Sequence, residues 1–82
     1  MTRIGVAGAG LIGKRHIEAM GRVAGLDLCG VLDPALQDTA GLPMVPDLES
    51  LAACSDGVVL AVPNALHAPM AIALMEAGCP VL

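Results

Sequence analysis

The stretch Val6-Ala7-Gly8-Ala9-Gly10-Leu11-Ile12-Gly13 decides the reading of this 82-residue chain. It follows an apolar run and leads into residues with helical periodicity, and Asp33 lies 20 residues beyond its last glycine. Three glycines at these spacings, between a strand and a helix and with an acid at that distance, form a dinucleotide-binding fingerprint. Each glycine answers a separate need. Gly8 allows a tight turn out of the strand, Gly10 lets backbone approach a pyrophosphate, and Gly13 lets helix and strand pack closely. The pyrophosphate is then expected on the unpaired N–H groups that open the helix, where aligned peptide dipoles favour negative charge without a cationic side chain.

Working outward, Arg3–Ala7 reads as a short buried strand and Leu26–Leu32 as a second one ending at Asp33. A carboxylate at that strand end can accept hydrogen bonds from both hydroxyls of an adenosine ribose and would repel a 2′-phosphate. Pro34, Ala35, Leu36, Gln37 and Asp38 offer no arginine to hold such a phosphate, so the expected cofactor is NAD rather than NADP. The plainer reading is that Asp33-Pro34 only begins a turn; the 20-residue spacing favours the ribose.

Between the two strands, residues 11–24 carry helical spacing, with Gly13, Ile17, Met20, Val23 and Ala24 on one side and Lys14, Glu18 and Arg22 on the other. Gly25 closes that helix in the left-handed position. Residues 34–46 hold three prolines and read as a loop with at most a short extended piece at Met44 and Val45. Asp47 is the expected N-cap of a short helix whose apolar stripe is Leu48, Leu51 and Ala52, ending near Cys54. Val58–Val62 reads as a buried parallel strand. A third helix is expected from about Leu66 to Ala77, beginning near His67 because Pro69 fits only a first turn, with His67, Ala71, Leu74 and Gly78 on one face. Cys79-Pro80-Val81-Leu82 opens another strand. The fold class is α/β: a three-layer doubly wound parallel sheet, a partial Rossmann fold in the order β-α-β-α-β-α-β.

Composition narrows the partners. The net charge of −4 leaves no basic face for a phosphate backbone, and with no Phe, Tyr or Trp there is no base-stacking platform, so nucleic acid is excluded. An adenine ring here must lie between aliphatic side chains. Hydrophobic residues make up 56% of the chain and the mean hydropathy is +0.78, high for a small domain that buries only about 60% of its unfolded surface. Some of that surface is expected to meet protein, and an unpaired strand edge points to a homo-oligomer. The apolar run at Ile4–Gly13 lacks a cleavage site, and Pro63, Asn64, His67 and Pro69 interrupt the uncharged run 57–75, so neither export nor a membrane span is expected. Cys29, Cys54 and Cys79 lack metal-ligand spacing and read as small buried hydrophobes of a reducing cytoplasm, not as disulfide or zinc residues. No metal is expected.

Three stretches resemble the Gfo/Idh/MocA oxidoreductases, the glucose-fructose oxidoreductase, inositol dehydrogenase and rhizopine-catabolism family. They are Arg3–Gly13 with His16, Val31-Leu32-Asp33, and Asp56–His67 continuing through Glu76-Ala77-Gly78 to Val81-Leu82. The third, a strand ending in Pro-Asn with a His three residues later and a helix ending in Glu-Ala-Gly, is the most specific. The resemblance implies an NAD(P)-dependent oxidoreductase acting on sugars, cyclitols and related alcohols, with a second, α+β domain that supplies most of the substrate site. It implies cofactor contacts at Gly8, Gly10, Leu11, Ile12, Gly13 and Asp33 and from Val62, Pro63, Asn64 and His67. The family's Glu-Lys-Pro motif, whose lysine sits beside the nicotinamide, follows the strand that Val81-Leu82 begins and is not reached. The expectation is a truncated dinucleotide-binding domain over residues 1–82, without catalytic residues or a substrate domain of its own. Cys79 stands where the family often has a basic residue, and the region Ala35–Pro46 looks shortened.

The histidines are less decisive. His16 reads as a packing residue near the phosphate loop, and His67 as either a donor to a cofactor oxygen or a cap of its own turn. Met20, Met44, Met70 and Met75 read as core and interface filler. Two functions remain from different classes: the cofactor-holding portion of an oxidoreductase, or a free-standing dinucleotide-sensing or oligomerisation module without catalysis.

Overall fold

Short runs of β-branched and aliphatic residues between glycine- and proline-bearing turns build a parallel sheet. Strands β1 (Thr2–Ala7), β2 (Leu26–Leu32) and β3 (Gly57–Leu60) pair in the order β2-β1-β3. Helices α1 (Leu11–Met20), α2 (Leu48–Cys54) and α3 (Asn64–Glu76) alternate with them along the chain. The structure, a computed structural model, describes residues 2–8, 10–36 and 41–82, with positions 11 and 12 described by backbone alone. Ala9 of the glycine stretch and Gln37–Ala40 of the expected loop lie outside the described residues.

Single parallel bridges extend the sheet at both edges, Met44 to Val31 beside β2 and Val81 to Val58 beside β3. These are the short extended piece and the opening of a further strand that the sequence implied. The chain winds outward from β1 to β2, then crosses back to β3, so the order reverses between β1 and β3. Ligands of open α/β sheets bind at such a switch point, beyond the carboxyl ends of the strands.

Side-chain alternation along β1 sorts the layers. Ala7 joins Leu51, Val58, Leu74 and Cys79 in one buried cluster, and a Cβ on Gly5 would lie 2.7 Å from Leu51 Cδ1, so this face carries α2 and α3. Ile4, Val6 and Val31 occupy the alternate positions and are buried on the other face, where α1 packs on β1 and β2. Helices therefore cover both faces of the sheet. Leu51 and Leu74 are fully buried, each stabilising the fold by about 2–3 kcal/mol through the apolar surface removed from water.

Three boundaries differ from the sequence reading. α1 ends at Met20 because residues 19–23 close turns in which Arg22 N–H donates to Ala19 C=O and Val23 N–H to Met20 C=O, both 3.1 Å. That i→i−3 spacing mimics a helical stripe, yet Val23 and Ala24 are exposed. Gly25 does take the left-handed conformation, φ +89°. β3 ends at Leu60: Ala61 N–H still bonds Ala7 C=O at 2.8 Å, and then β1 turns away at Gly8. α3 begins at Asn64, not near His67, on a tight first turn in which Leu66 N–H donates to Pro63 C=O at 2.9 Å.

Pro69 thus lies inside α3, where a proline removes one ladder bond at a cost of about 3 kcal/mol. Ala65, whose carbonyl loses that donor, is exposed, as is Pro69. The helix ends in a paired-bond stop: Gly78 at φ +78° donates to Met75 C=O (3.0 Å), and Cys79 to Leu74 C=O (2.9 Å). Leu74, Ala71 and Met70 turn inward; His67 lies on the same helical face as Ala71 and Leu74 but in the first turns of α3, where it is exposed.

Candidate functional site

At the carboxyl ends of the strands lies a cleft of about 1030 Å³. The turn from β1 into α1 forms one wall, built from backbone. Gly8 has φ +90°, and its N–H donates to Leu32 C=O at 2.8 Å. A Cβ on Gly8 would overlap the carbonyl oxygen of Ala61, and one on Gly13 would overlap the carbonyl oxygen of Gly8. The two glycines bring α1, β1 and the end of β3 into contact that no side chain permits. Gly10 is different: it lines the cleft, and a Cβ there would meet nothing within 4 Å.

Gly10 is also the N-cap of α1, in extended conformation and with no side-chain bond to the helix. Lys14 N–H makes the first intrahelical bond, to Gly10 C=O at 2.9 Å. The amides of residues 11–13 precede that bond and have no acceptor within the helix. They form an electropositive helix start suited to an anion.

Asp33 stands at the end of β2, one residue beyond the Leu32 carbonyl that Gly8 bonds, half-buried and lining the cleft. Its Oδ1 accepts from Ala35 N–H at 3.0 Å, and its carbonyl accepts from Leu36 N–H at 3.2 Å. The Asp-Pro turn and the carboxylate in the cleft are therefore one feature: the turn fixes the side chain at the rim. Among the described residues that follow, Pro34, Ala35 and Leu36, none is cationic, while Gln37 and Asp38 fall outside them.

The third wall is the exit from β3. Val62, Pro63 and Asn64, which the resemblance implied as cofactor contacts, line the cleft; His67 is not among its lining residues, and His16 is exposed on α1. Leu66 and Met70 line it one helical turn apart. Sequence reading missed both, because starting α3 near His67 breaks the i, i+4 pair that a start at Asn64 reveals. Pro34 and Ala35 also line the cleft, so the Asp33-Pro34 turn is part of its wall and not an alternative to it. Gly13 acts beneath the wall rather than on it, and for Leu11 and Ile12 only backbone in the first turn of α1 is described. Among the described residues no three His, Cys, Asp or Glu side chains group as metal ligands, and no helix is long and apolar enough to cross a membrane.

A parallel sheet that reverses at a glycine turn, with a carboxylate at the next strand's end lining the same cleft, defines a nucleotide-binding domain of Rossmann type. Residues 2–82 match the family model described as oxidoreductase family, NAD-binding Rossmann fold, and the chain belongs to this Gfo/Idh/MocA family. It is 32% identical over 90 residues to an inositol 2-dehydrogenase of Corynebacterium glutamicum, covering 98% of this chain and 27% of that protein. Among solved structures, GenD2 of gentamicin A biosynthesis in complex with NAD superposes with a TM-score of 0.86 at 28% identity, over 98% of this chain and 25% of that one. UDP-N-acetylglucosamine 3-dehydrogenase GnnA from Acidithiobacillus ferrooxidans gives 0.84 at 28% identity, over 98% and 28%. The chain thus spans about a quarter of the length of these relatives.

Proposed function

We propose that this chain provides the NAD site of an oxidoreductase that moves a hydride between the nicotinamide ring and a hydroxyl-bearing carbon of a sugar, cyclitol or related alcohol. The observation that carries the reading is Gly10, an uncapped helix start whose missing side chain leaves open space in the cleft that Asp33 also lines. NAD bound there supplies the hydride acceptor. The first-turn amides of α1 hold pyrophosphate oxygens. Asp33 accepts from the adenosine ribose hydroxyls while Ala35 N–H keeps its Oδ1 in place. Aliphatic surfaces of Pro34, Val62 and Leu66 bound the space left for adenine in a chain without aromatic residues. The names of the inositol and UDP-sugar relatives support a polyol or sugar as the substrate class.

The test reads cofactor binding, which these residues determine directly. In calorimetric titrations the wild type is expected to bind NAD more tightly than NADP, because Asp33 repels a 2′-phosphate. Asp33→Arg is expected to weaken NAD about 10–100-fold, the range for losing a charged hydrogen-bond acceptor, and to narrow or reverse the preference. Equal NAD affinity in both proteins would remove Asp33 from the ribose site.

A further inference from the structure

Away from the cleft, β2 carries an irregularity with a chemical consequence. Ile4 pairs with Leu28 and Gly5 with Gly30, so Cys29 is the extra residue of a bulge. A bulge re-aims a side chain that regular alternation would send to the opposite face. Gly30 already faces α2, since a Cβ there would lie 3.0 Å from Cys54 Sγ, and the bulge turns Cys29 to the same side. Cys29 Sγ thereby comes within 3.2 Å of Cys54 Sγ, at the last turn of α2, and within 3.2 Å of Ser55 Oγ. Ser55 Oγ is anchored to Leu51 C=O at 2.6 Å, and Cys54 Sγ reaches the same carbonyl at 3.4 Å. Both thiols are free and half-buried. Cys79 is buried at 4% exposure, and its sulfur lies against the carbonyls of Ser55 and Pro80 instead.

We propose that Cys29 and Cys54 form a dithiol that closes to a reversible intrachain disulfide on exposure to a low-molecular-weight disulfide such as oxidised glutathione. One protein thiolate attacks that disulfide, forming a mixed disulfide and expelling one thiolate. The second protein thiolate attacks the protein sulfur of the mixed disulfide, forming the Sγ–Sγ bond and expelling the other. Two protons and two electrons leave the protein and appear in two small thiols. The sulfurs must close by about 1 Å to reach bonding distance, a rotamer-scale adjustment. The bond ties β2, whose end carries Asp33, to the end of α2, which runs directly into β3 and the Pro63-Asn64 wall. It braces two sides of the cleft without entering it.

The native protein is incubated with oxidised glutathione, alkylated and cleaved on the amino side of aspartate, which places Cys29 in residues 27–32, Cys54 in 47–55 and Cys79 beyond Asp56. The expected product joins the first two peptides, leaves Cys79 alkylated, disappears on reduction, and accompanies a rise in thermal midpoint of roughly 5–10 °C. Cys79→Ser should keep the bridge, and Cys54→Ser should leave Cys29 as a mixed disulfide. Three alkylatable thiols under conditions that oxidise the urea-unfolded chain, or bridges to Cys79 as abundant as those between Cys29 and Cys54, would overturn the proposal. Mapping on the wild type decides this even where a variant fails to fold.

Discussion

The starts of α1 and α2 solve the same problem in opposite ways. Every helix opens with amides that have no acceptor within it. At α2, Asp47 sits in extended conformation and its Oδ1 accepts from Ser50 N–H at 2.8 Å, so the chain caps this helix with its own carboxylate. At α1, Gly10 holds the equivalent position in extended conformation and offers no side chain, and the end of the helix opens on the cleft. A self-capped start serves the fold; an uncapped one resting on the sheet suits the pyrophosphate of the function proposed above. What seats it there is Gly13, whose missing Cβ lets α1 rest on the Gly8 carbonyl. Gly13→Val is therefore expected to have the largest effect of any change here. It forces backbone from backbone and should cost about 3 kcal/mol or more, a large share of the stability of a domain this size. Thermal unfolding by circular dichroism reads it, and an unchanged midpoint would mean that α1 does not lie on β1 as described.

Gly10→Asp breaks the contrast from the other side. The position is extended and open, so an aspartate fits and can cap α1 as Asp47 caps α2. The fold should hold or gain slightly in thermal midpoint, while NAD affinity falls about 100-fold or more because a carboxylate occupies the amides and repels the pyrophosphate. Retained affinity would show that the diphosphate lies elsewhere. Gly10 and Gly13, three residues apart, would thus separate function from stability.

The same contrast explains what was legible in the sequence. Gly8 and Gly13 were readable because their packing follows from excluded volume at fixed spacings, and the place of Asp33 at the end of β2 because it follows the strand pattern directly. Asp47 was readable because capping is local, involving only residues 47–50. The start of α3 was not, because Pro69 argues locally for a first turn, whereas tertiary packing of Met70 and Leu74 and solvent access at Ala65 let the helix absorb a proline. That error also hid Leu66 and Met70 from the site. The approach of Cys29 to Cys54 could not be foreseen, since it depends on a one-residue slip against β1 that leaves no mark in the pattern of residues 26–32.

If side chains rather than backbone make the α3 wall, losses there should be graded. Met70→Ala removes one aliphatic contact from the cleft and is expected to weaken NAD only about 3–10-fold, in the range of one buried hydrophobic group, with the NAD-over-NADP preference intact because Asp33 is untouched. A change in that preference would place Met70 at the ribose rather than along the wall. The smallest effect belongs to Asp47. The Ser50 amide bonded to its carboxylate, and the Ser50 side chain, hold its pKa below the ordinary 3.8. A carboxyl depressed on folding adds stability that is present above its unfolded pKa and lost as the pH falls through the folded one. Asp47→Asn keeps a capping oxygen but has no charge to lose. Its thermal midpoint should lie slightly below the wild type near neutrality, where helix dipole and carboxylate attract, and the two should converge in acid below the folded value. NAD affinity should be unchanged throughout, because Asp47 bonds the Ser50 amide of α2 and is not among the residues that line the cleft. A loss of NAD binding in Asp47→Asn would mean that the start of α2 communicates with the cleft, and that its self-capping is not merely structural.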